Sequence, residues 1–334
     1  MEKTPFVSIN LVVRNGATYA KACVEHIRQQ TYPGIEVNIF DNDSTDETLR
    51  IIEKELPAAR IIRNSKNYGF GGGQNRCLKY AEGEFVVFHC IDVLLDKNFI
   101  EEGIRTMERI PSAGALQAKI LGYNKRGFEK NDIIDTTGFE IYRSRRIINR
   151  GHGEKDRGQY EKQEEIFSYE GASGFFRRAA LEDSKINGEL LDEDFFWYAD
   201  DIDLGWRMRL LGWKSVYVPT MIAWHDRQTT KRLKKTIFDF IRLRREVPAY
   251  KRALDYRNFH LTLVKNEFLS NVFKDFFPFI KREIALFFYT LIFEPRTLFS
   301  WISFFVLLPR IMKKRRNLMA RIQVSPHEIR RWYK

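Results

Sequence analysis

The segment "FVSINLVVRNGATYAKACVEHIRQQTYPGIEVNIFDNDSTDETLRIIEKEL" (residues 6–56) alternates short apolar runs with amphipathic ones. The runs "FVSINLVV" (6–13) and "IEVNIF" (35–40) predict buried strands, and the segment between them places four side chains on one helical face: Ala20, Cys23, Val24 and Ile27. Ser44 followed by Glu47 predicts a capping box before a second helix. Further along, "ARIIRN" (59–64) and "FVVFHC" (85–90) predict two more strands. This alternation predicts an α/β fold with a Rossmann-like, mainly parallel sheet that helices flank.

Polar residues follow each of the four predicted strands. They are Arg14 and Asn15, then Asp41, Asn42 and Asp43, then Asn67 with the glycines of "GFGGG" (69–73), and finally Asp92. Because ligands of such sheets bind beyond the carboxyl ends of the strands, these residues predict a ligand site. Taken singly, Asp41 is equally typical of a turn, and the glycine run lacks the Lys-Ser/Thr ending of a phosphate loop. Together they favour a bound nucleotide.

A second feature is "DEDFFWYADDIDLGWRMRLLGW" (192–213), in which six acids surround four aromatic residues. Aromatic rings offer an apolar platform to a ligand, and a carboxylate can serve as a general base. The alternative is an acidic first turn that complements a helix dipole. That alternative explains Asp200, Asp201 and Asp203 but not the stretch before them, so we favour the catalytic interpretation.

Seven motifs resemble, in order, those of family-2 glycosyltransferases with a GT-A fold, in the bacterial branch that builds cell-surface polysaccharides such as O-antigen and includes rhamnosyltransferases. They lie within about residues 5–227: "VSINLVVRN", "FDNDSTDET", "NYGFGGGQNRC", "FHCIDVLLD", "GASGFFRRAAL", "DEDFFWYADDIDLGWRMRLLGW" and "VPTMIAWH". The resemblance implies an inverting enzyme that moves a sugar from a dTDP- or UDP-sugar, dTDP-rhamnose among them, to a glycan or lipid-linked acceptor. It also implies a catalytic domain over residues 1–227 and a helical extension over 228–334.

The resemblance assigns roles to individual residues of this chain. The residues that it assigns to the nucleotide are Val13, Arg14, Asn15, Asp41, Asn67, Gly69, Asn75 and Cys90. Arg14 stands where relatives often carry an aromatic residue, and its guanidinium plane is suited to stack on the base. Asp92 and His225 are expected to hold Mg²⁺ or Mn²⁺, although Cys90 replaces the first acid of the family's Asp-x-Asp pattern. One carboxylate with phosphate oxygens and waters suits such a hard ion.

On the acceptor side, the family's general base falls on Asp201. Ser173, Trp197 and Asp200 are assigned to the acceptor, with Asp200 in the place of a family glutamate. The charged segment 122–166 is expected to form a mobile loop over the acceptor. Two alternatives remain at this stage. One is a noncatalytic nucleotide-sugar-binding or scaffold protein on the same fold, and the other is a nucleotidyltransferase, which "RNGATY" (14–19) fits poorly.

The charge of the chain is concentrated in its last third. The net charge is +12, yet residues 227–334 carry 25 Lys and Arg against 8 Asp and Glu, so the remainder is slightly acidic. The apolar runs 284–293 and 297–309 fall short of the roughly 20 residues of a membrane span. We therefore expect helices that lie on an anionic membrane surface, with "KKRR" (313–316) at the lipid.

Two rival interpretations of this tail are a buried helical pair or homodimer face, and a nucleic-acid site. We expect no nucleic acid, because the aromatic residues lie in continuous apolar runs. Three cysteines without metal-like spacing suit a reducing compartment. "MEKTPFVSIN" (1–10) shows no secretory signal. The expected location is the cytoplasmic side, peripheral on the inner face of the cell membrane.

Overall fold

The structure is a computed structural model that describes residues 5–227 and 237–334. Its strands are β1 (Val7–Val13), β2 (Ile35–Asp41), β3 (Arg60–Ile62), β4 (Phe85–His89), β5 (Val93–Leu95), β6 (Ala113–Asn124), β7 (Glu129–Thr136), β8 (Phe139–Ile141), β9 (Ile147–Asn149), β10 (Glu164–Ile166), β11 (Ser173–Arg177) and β12 (Lys214–His225).

The helices of the first part are α1 (Ala17–Arg28), α2 (Thr48–Glu55), α3 (Gly69–Cys77), α4 (Phe99–Arg109), α5 (Arg178–Asp183) and α6 (Asp200–Leu210). Those of the last third are α7 (Ile237–Glu246), α8 (Ala249–Asn266), α9 (Leu269–Lys274), α10 (Phe276–Phe293), α11 (Ser300–Met319) and α12 (Pro326–Arg330). Short 3₁₀ turns, Leu78–Tyr80 and Pro295–Phe299, follow α3 and α10.

One mixed sheet of ten strands organises the chain. Its order is β10-β12-β6-β11-β4-β1-β2-β3, with β5 paired to β12 and β7 paired to β6. The pairs β1–β2, β1–β4, β2–β3 and β6–β12 are parallel, while β11 runs antiparallel to both β4 and β6. The predicted mainly parallel, helix-flanked sheet is therefore confirmed, and its parallel strands end at a common edge.

The local predictions for the first two helices had different outcomes. In α1 the buried residues are Ala20, Cys23, Val24 and Ile27, so the predicted apolar face is confirmed. The predicted capping box is wrong, because α2 begins at Thr48 without a side-chain cap. The Ser44 hydroxyl instead accepts a hydrogen bond from the backbone N–H of Asn15, 3.1 Å away.

The segment 122–166 is largely folded. β7 extends the main sheet by antiparallel pairing with β6, and β8 and β9 form a separate two-stranded sheet. Parts of this segment are therefore folded into strands where the sequence led us to expect a loop. One of its residues, Asp135, reaches the candidate active site.

The C-terminal helices bind the first part of the chain through buried ion pairs. Lys265 of α8 lies 2.6 Å from the Asp192 carboxylate and 2.8 Å from that of Asp203. Lys314 of α11 lies 2.6 Å from the other oxygen of Asp192. Between these pairs, the ring of Phe195 is fully buried against the same two helices. The negative charge of the 192–203 stretch thus serves partly to hold the C-terminal helices, which corrects the purely catalytic interpretation of that stretch.

The last third contains a bent, apolar pair of helical segments. Within the described part of the chain, no single helix is long and apolar enough to cross a membrane. Phe276–Phe293 and Pro295–Met319 meet the length and composition criteria only as a pair, and the chain bends by 117° between them.

Candidate active site

The ends of β1 and β2 lie side by side at the carboxyl edge of the sheet. Val13 is paired with Asp41 in the parallel register. The Val13 carbonyl accepts a hydrogen bond of 2.8 Å from the backbone N–H of Asn42, and its side chain is buried, so only its backbone is available there. Arg14 and Asn15 are exposed beyond the strand end. The structure therefore brings together Val13, Arg14, Asn15 and Asp41, the first group of residues assigned to the nucleotide.

Asn42, one of the polar residues that follow the second strand, joins this edge to α3. Its Oδ1 accepts from the Tyr68 N–H at 2.8 Å, and its Nδ2 donates to the Gly69 carbonyl at 2.8 Å. Asn67 Oδ1 accepts from the Gly69 N–H at 2.9 Å. A Cβ on Gly69, where φ is +72°, would lie 1.9 Å from the Phe196 carbonyl oxygen. Gly69 is therefore required for the close approach of two loops.

Three assigned residues are held by neighbouring groups of the protein. Asn75 donates to the Leu191 carbonyl at 2.8 Å and accepts from the Leu191 N–H at 2.9 Å, so its amide supports that loop instead of facing a nucleotide. Ser173 is buried with its hydroxyl 3.1 Å from His89 Nδ1, so its side chain is not presented to an acceptor. Cys90 is partly buried, and burial is the first of the causes that raise the pKa of its thiol. It therefore contributes a neutral thiol.

Asp92 and His225 face each other where β4 and β12 end. His225 Nε2 lies 3.5 Å from Asp92 Oδ2, and its Nδ1 lies 2.9 Å from Asp135 Oδ2. Burial opposes the charged form of His225, but the two carboxylates outweigh it and raise its pKa to about 10. Burial likewise acts to raise the pKa of Asp92, and the positive charge of His225 reverses the direction, so that this pKa is lowered.

The donor set at Asp92 and His225 fits a divalent cation. The Asp135 carboxylate fixes the orientation of the His225 ring, as carboxylate partners of metal-binding histidines do. Nε2 and the Asp92 carboxylate then converge on one position, at which a cation would displace the proton. Among the described residues no group of three or more His, Cys, Asp and Glu side chains could hold a metal. Two protein ligands completed by phosphate oxygens and waters are what Mg²⁺ accepts.

Asp201 lies at the first turn of α6, across from these residues. Its Oδ2 accepts from the Gly171 N–H at 2.9 Å, and its Oδ1 accepts from the Ile202 N–H at 2.8 Å. Burial, followed by the negative charge of Glu170, raises the pKa of Asp201 to about 7. A carboxylate with that pKa suits proton abstraction near neutral pH.

A continuous chain of contacts joins Asp201 to the Asp92–His225 pair. Arg227 donates to Glu170 at 2.7 Å and to Asp135 at 3.0 Å, and Asp135 binds His225. On the other side, the Gly171 carbonyl accepts a weak hydrogen bond from the Cys90 thiol. These contacts connect Asp201 to the Asp92–His225 pair through Gly171 and Cys90 on one side and through Arg227 and Asp135 on the other.

The other two residues assigned to the acceptor have different environments. Asp200 is 4% exposed, and a Cβ on Gly71 of α3 would lie 2.8 Å from its Oδ1. Burial, then the neighbouring acids led by Asp201, raises the pKa of Asp200 well above its usual range. Its carboxyl group therefore faces α3, which does not favour an acceptor contact. Trp197 is 38% exposed, with Lys251 Nζ 3.8 Å from the centre of its ring.

The loop before Asp201 has an unusual backbone. Phe196, Tyr198 and Ala199 have φ values of 64°, 71° and 65°. Such left-handed conformations cost non-glycine residues free energy and persist only where surrounding contacts enforce them. Asn258 of α8 supplies such contacts, since its Nδ2 lies 2.7–3.0 Å from the carbonyl oxygens of Phe195, Trp197 and Tyr198.

Four residues that shape the site were not predicted from the sequence: Asp135, Glu170, Arg227 and Asn258. Glu170 directly precedes the "GASGFF" motif, and Arg227 follows His225 by two residues, so proximity to a motif could have indicated both. Asn258 lies in "YRNFHLTLVKN" (256–266), an element that also resembles the polysaccharide branch, whereas Asp135 lies in a segment whose sequence carries no comparable signal.

A mixed, mainly parallel sheet with acidic and histidine side chains at its carboxyl edge defines an α/β enzyme of the GT-A type. The chain belongs to glycosyl transferase family 2, since the model described as "Glycosyl transferase family 2" matches residues 8–184, just over half of the chain. A curated relative is the Escherichia coli "UDP-Glc:alpha-D-GlcNAc-diphosphoundecaprenol beta-1,3-glucosyltransferase WfaP", which is 40% identical over 84 residues.

The alignment with WfaP covers 25% of this chain and 33% of that relative. The chain thus spans about a third of the length of that relative, and 31%, 15% and 30% of three others.

Solved structures share the fold. Staphylococcus aureus TarS 1–349 in complex with UDP-GlcNAc has a TM-score of 0.56 at 18% identity, with 98% of this chain and 88% of that chain covered. The mannosyltransferase PcManGT from Pyrobaculum calidifontis, in complex with GDP-Man and Mn²⁺, has a TM-score of 0.52 at 16% identity, with 92% and 76% covered.

Proposed function

We propose that this protein is an inverting glycosyltransferase that acts in cell-surface polysaccharide synthesis. It transfers a sugar from a nucleoside diphosphate sugar to a hydroxyl group of a glycan or lipid-linked acceptor. The observation that carries the proposal is the set of contacts that connects Asp201, whose pKa is raised to about 7, to the Asp92–His225 pair. The name of WfaP, which describes a nucleotide-sugar donor and a diphosphoundecaprenol acceptor, supports this substrate class.

The donor in this proposal is a dTDP- or UDP-sugar, with dTDP-rhamnose favoured by the resemblance of the motifs alone. The base of the nucleotide lies against the backbone of Val13, where Asp41 accepts a hydrogen bond from the ring and Arg14 stacks on it. The UDP-GlcNAc complex of TarS supports a nucleotide-sugar donor on this fold.

Asp92 and His225 are the residues that would hold Mg²⁺ or Mn²⁺, as the Mn²⁺ in the PcManGT complex also suggests for this fold. When bound, the cation neutralises the charge of the diphosphate leaving group. The role of Arg227 is to keep Asp135, and through it His225, in place.

In the chemical step, Asp201 removes the proton from the acceptor hydroxyl group. The acceptor oxygen then forms a bond to the anomeric carbon while the bond from that carbon to the diphosphate oxygen breaks. A single displacement of this kind inverts the anomeric configuration.

The direct test is release of nucleotide from a panel of UDP-, dTDP- and GDP-sugars, with Mg²⁺ or Mn²⁺ and with EDTA. We expect one donor to be consumed in a metal-dependent manner. Asp201→Asn should abolish release while the affinity for that donor, measured by calorimetry, is kept. Asp132→Asn, at an exposed aspartate paired with Lys155, is the matched control. Loss of donor binding in Asp201→Asn, or unchanged release, contradicts the role of Asp201.

A further inference from the structure

The burial pattern of α10 is the reverse of that expected for a helix surrounded by water. Thr290 is the only residue of this 18-residue helix that is fully buried. Phe277 is 81% exposed and Ile292 is 65% exposed. Further large apolar side chains of the helix are also exposed: Phe276, Ile284, Phe287, Phe288, Leu291 and Phe293. Because apolar surface is driven out of water, a continuous exposed face of this size indicates that another apolar phase covers it.

The exposed surface continues on α11. One face of this helix packs on the rest of the protein through Phe304, Leu307 and Ile311, which contact Phe195 and Leu261. Its other face exposes apolar residues over the first four turns: Ile302, Phe305, Val306 and Met312. α11 therefore has one apolar face that is used in the fold and a second one that the fold leaves uncovered.

The bend between the two helices directs polar groups inward. Thr290, Glu294, Thr297 and Ser300 are all buried. Arg244 of α7 binds Glu294 at 3.2 Å, and the hydroxyl of Tyr289 donates to the same carboxylate at 3.1 Å. The Glu294 carboxylate of the bend is thus satisfied by the protein, while the apolar groups of the bend point outward; the Ser300 hydroxyl is buried without a partner among the described residues. This arrangement suits a lipid phase, in which backbone and side-chain polar groups must find internal partners.

The charges on this surface select the occupant. The exposed charged residues of segment 276–319 are all basic: Lys281, Arg296, Arg310, Lys313 and Arg316. The two acids of the segment, Glu283 and Glu294, are bound by His260 and Arg244. A second copy in a twofold dimer would oppose the same positive charge to itself. Anionic phospholipid headgroups offer both the opposite charge and an apolar layer beneath it.

We propose that α10, the turn Pro295–Phe299 and the outer face of α11 form a membrane-docking surface that lies in one leaflet of an anionic bilayer. The apolar side chains enter the boundary between headgroups and acyl chains, and the exposed lysines and arginines bind the headgroups. Within the predicted contact "KKRR" (313–316), only Lys313 and Arg316 are exposed. The Lys314 ammonium pairs with Asp192, and Arg315 donates to backbone carbonyls of residues 264, 265 and 267.

This surface is connected directly to the loop that carries the proposed general base. Arg310 and Lys314 of α11 bind Asp194 and Asp192 at 2.6 Å each. The chain continues from these acids to Trp197 and then to Asp201. Docking would therefore hold the acceptor side of the site at the lipid–water boundary, where a lipid-linked acceptor presents its hydroxyl group. This last step rests on the proposed function, whereas the docking itself does not.

Flotation of the full chain with phosphatidylcholine vesicles, with or without phosphatidylglycerol, tests the proposal without a donor. We expect binding to the anionic vesicles that weakens with salt. The triple variant Phe277→Ser/Ile292→Ser/Phe305→Ser should weaken binding by about tenfold or more for each residue. The double variant Lys313→Gln/Arg316→Gln should reduce the preference for phosphatidylglycerol. Tyr80→Ser, at an exposed aromatic residue outside the helices, is the matched control and should bind like the wild type.

Equal partitioning of the wild type and the triple variant, or no binding to any vesicle, would overturn the proposal. Sedimentation velocity tests the alternative that a second copy of the chain covers this surface. If the wild type is a dimer and the triple variant is a monomer, the surface is a dimer face, and the membrane proposal is overturned. Unchanged thermal melting of each variant shows that folding is kept. A chain that binds vesicles but consumes no nucleotide sugar leaves the docking surface intact and refutes only the proposed function.

Discussion

Replacing Asn258 should lower the turnover of the enzyme while leaving most of its donor affinity. The amide of Asn258 offers two hydrogens to three backbone carbonyls of residues 195, 197 and 198. Asn258→Leu keeps the volume but removes both donors. A buried carbonyl that loses its partner costs about 1–3 kcal/mol, so two lost bonds cost about 2–6 kcal/mol in the present loop conformation.

The loop has a way to avoid that cost. Phe196, Tyr198 and Ala199 each hold a left-handed conformation that costs about 1–3 kcal/mol. Without Asn258, a change of these three residues to ordinary backbone conformations lowers the free energy of the loop. Asp201 directly follows the loop, so we expect its carboxylate to move as well. A displacement of about 1 Å at a catalytic group typically costs about a hundredfold in rate. We therefore expect kcat to fall by about that factor.

The assay is nucleotide release under saturating donor, together with donor affinity from calorimetry and melting temperature. Asn317→Leu is the matched control, because Asn317 of α11 donates only to Asn187 at the surface. A wild-type kcat in Asn258→Leu would refute the reasoning. So would a loss of donor affinity equal to the loss of kcat, since that pattern indicates general damage to the site.

Three further predictions concern charge. Activity should fall as the pH drops through about 7, because Asp201 must be deprotonated to act. Glu170→Gln removes a negative charge beside Asp201, so it should move this acidic limb of the pH–rate profile to lower pH. An unshifted limb would exclude Glu170 as a cause. Lys265→Met should lower the free energy of unfolding by about 3–5 kcal/mol, measured by denaturant titration, because Asp192 and its neighbours lose a buried counter-ion. Asp135→Asn should raise the Mn²⁺ concentration for half-maximal activity about 10–100-fold. An unchanged requirement would place the cation elsewhere.

The parts of the fold that could be predicted are those set by local periodicity. The face of α1 and the first four strands follow from apolar spacing over a few residues, which tertiary contacts did not override. The capping box failed because Ser44 found a partner on another segment, the N–H of Asn15. A cap depends on which donor is nearest in space, and sequence spacing does not determine that.

The candidate site divides in the same way. Asp41 and Asp92 lie at or beyond strand ends and Asp201 lies in the first turn of a helix, so their place at the carboxyl edge of the sheet could be expected from topology. The residues that bind these acids and their loops could not be predicted from the sequence. Asn258 lies about 60 residues from the loop it holds, and Lys265 lies 73 residues from Asp192. Acids that looked equally suited to sugar chemistry therefore divided into a candidate base, Asp201, and an anchor for helices, Asp192.

The sharing of counter-ions between the catalytic region and the C-terminal helices limits how such enzymes can be recombined. A tail taken from a relative would have to bring ammonium groups to the positions of Lys265 and Lys314, or Asp192 would be buried without a counter-ion. Exchanging these helices to alter the proposed membrane docking would thus also disturb the loop that precedes Asp201. Altered targeting is reached more easily by substituting the outward-facing side chains of α10 and α11 than by exchanging the helices themselves.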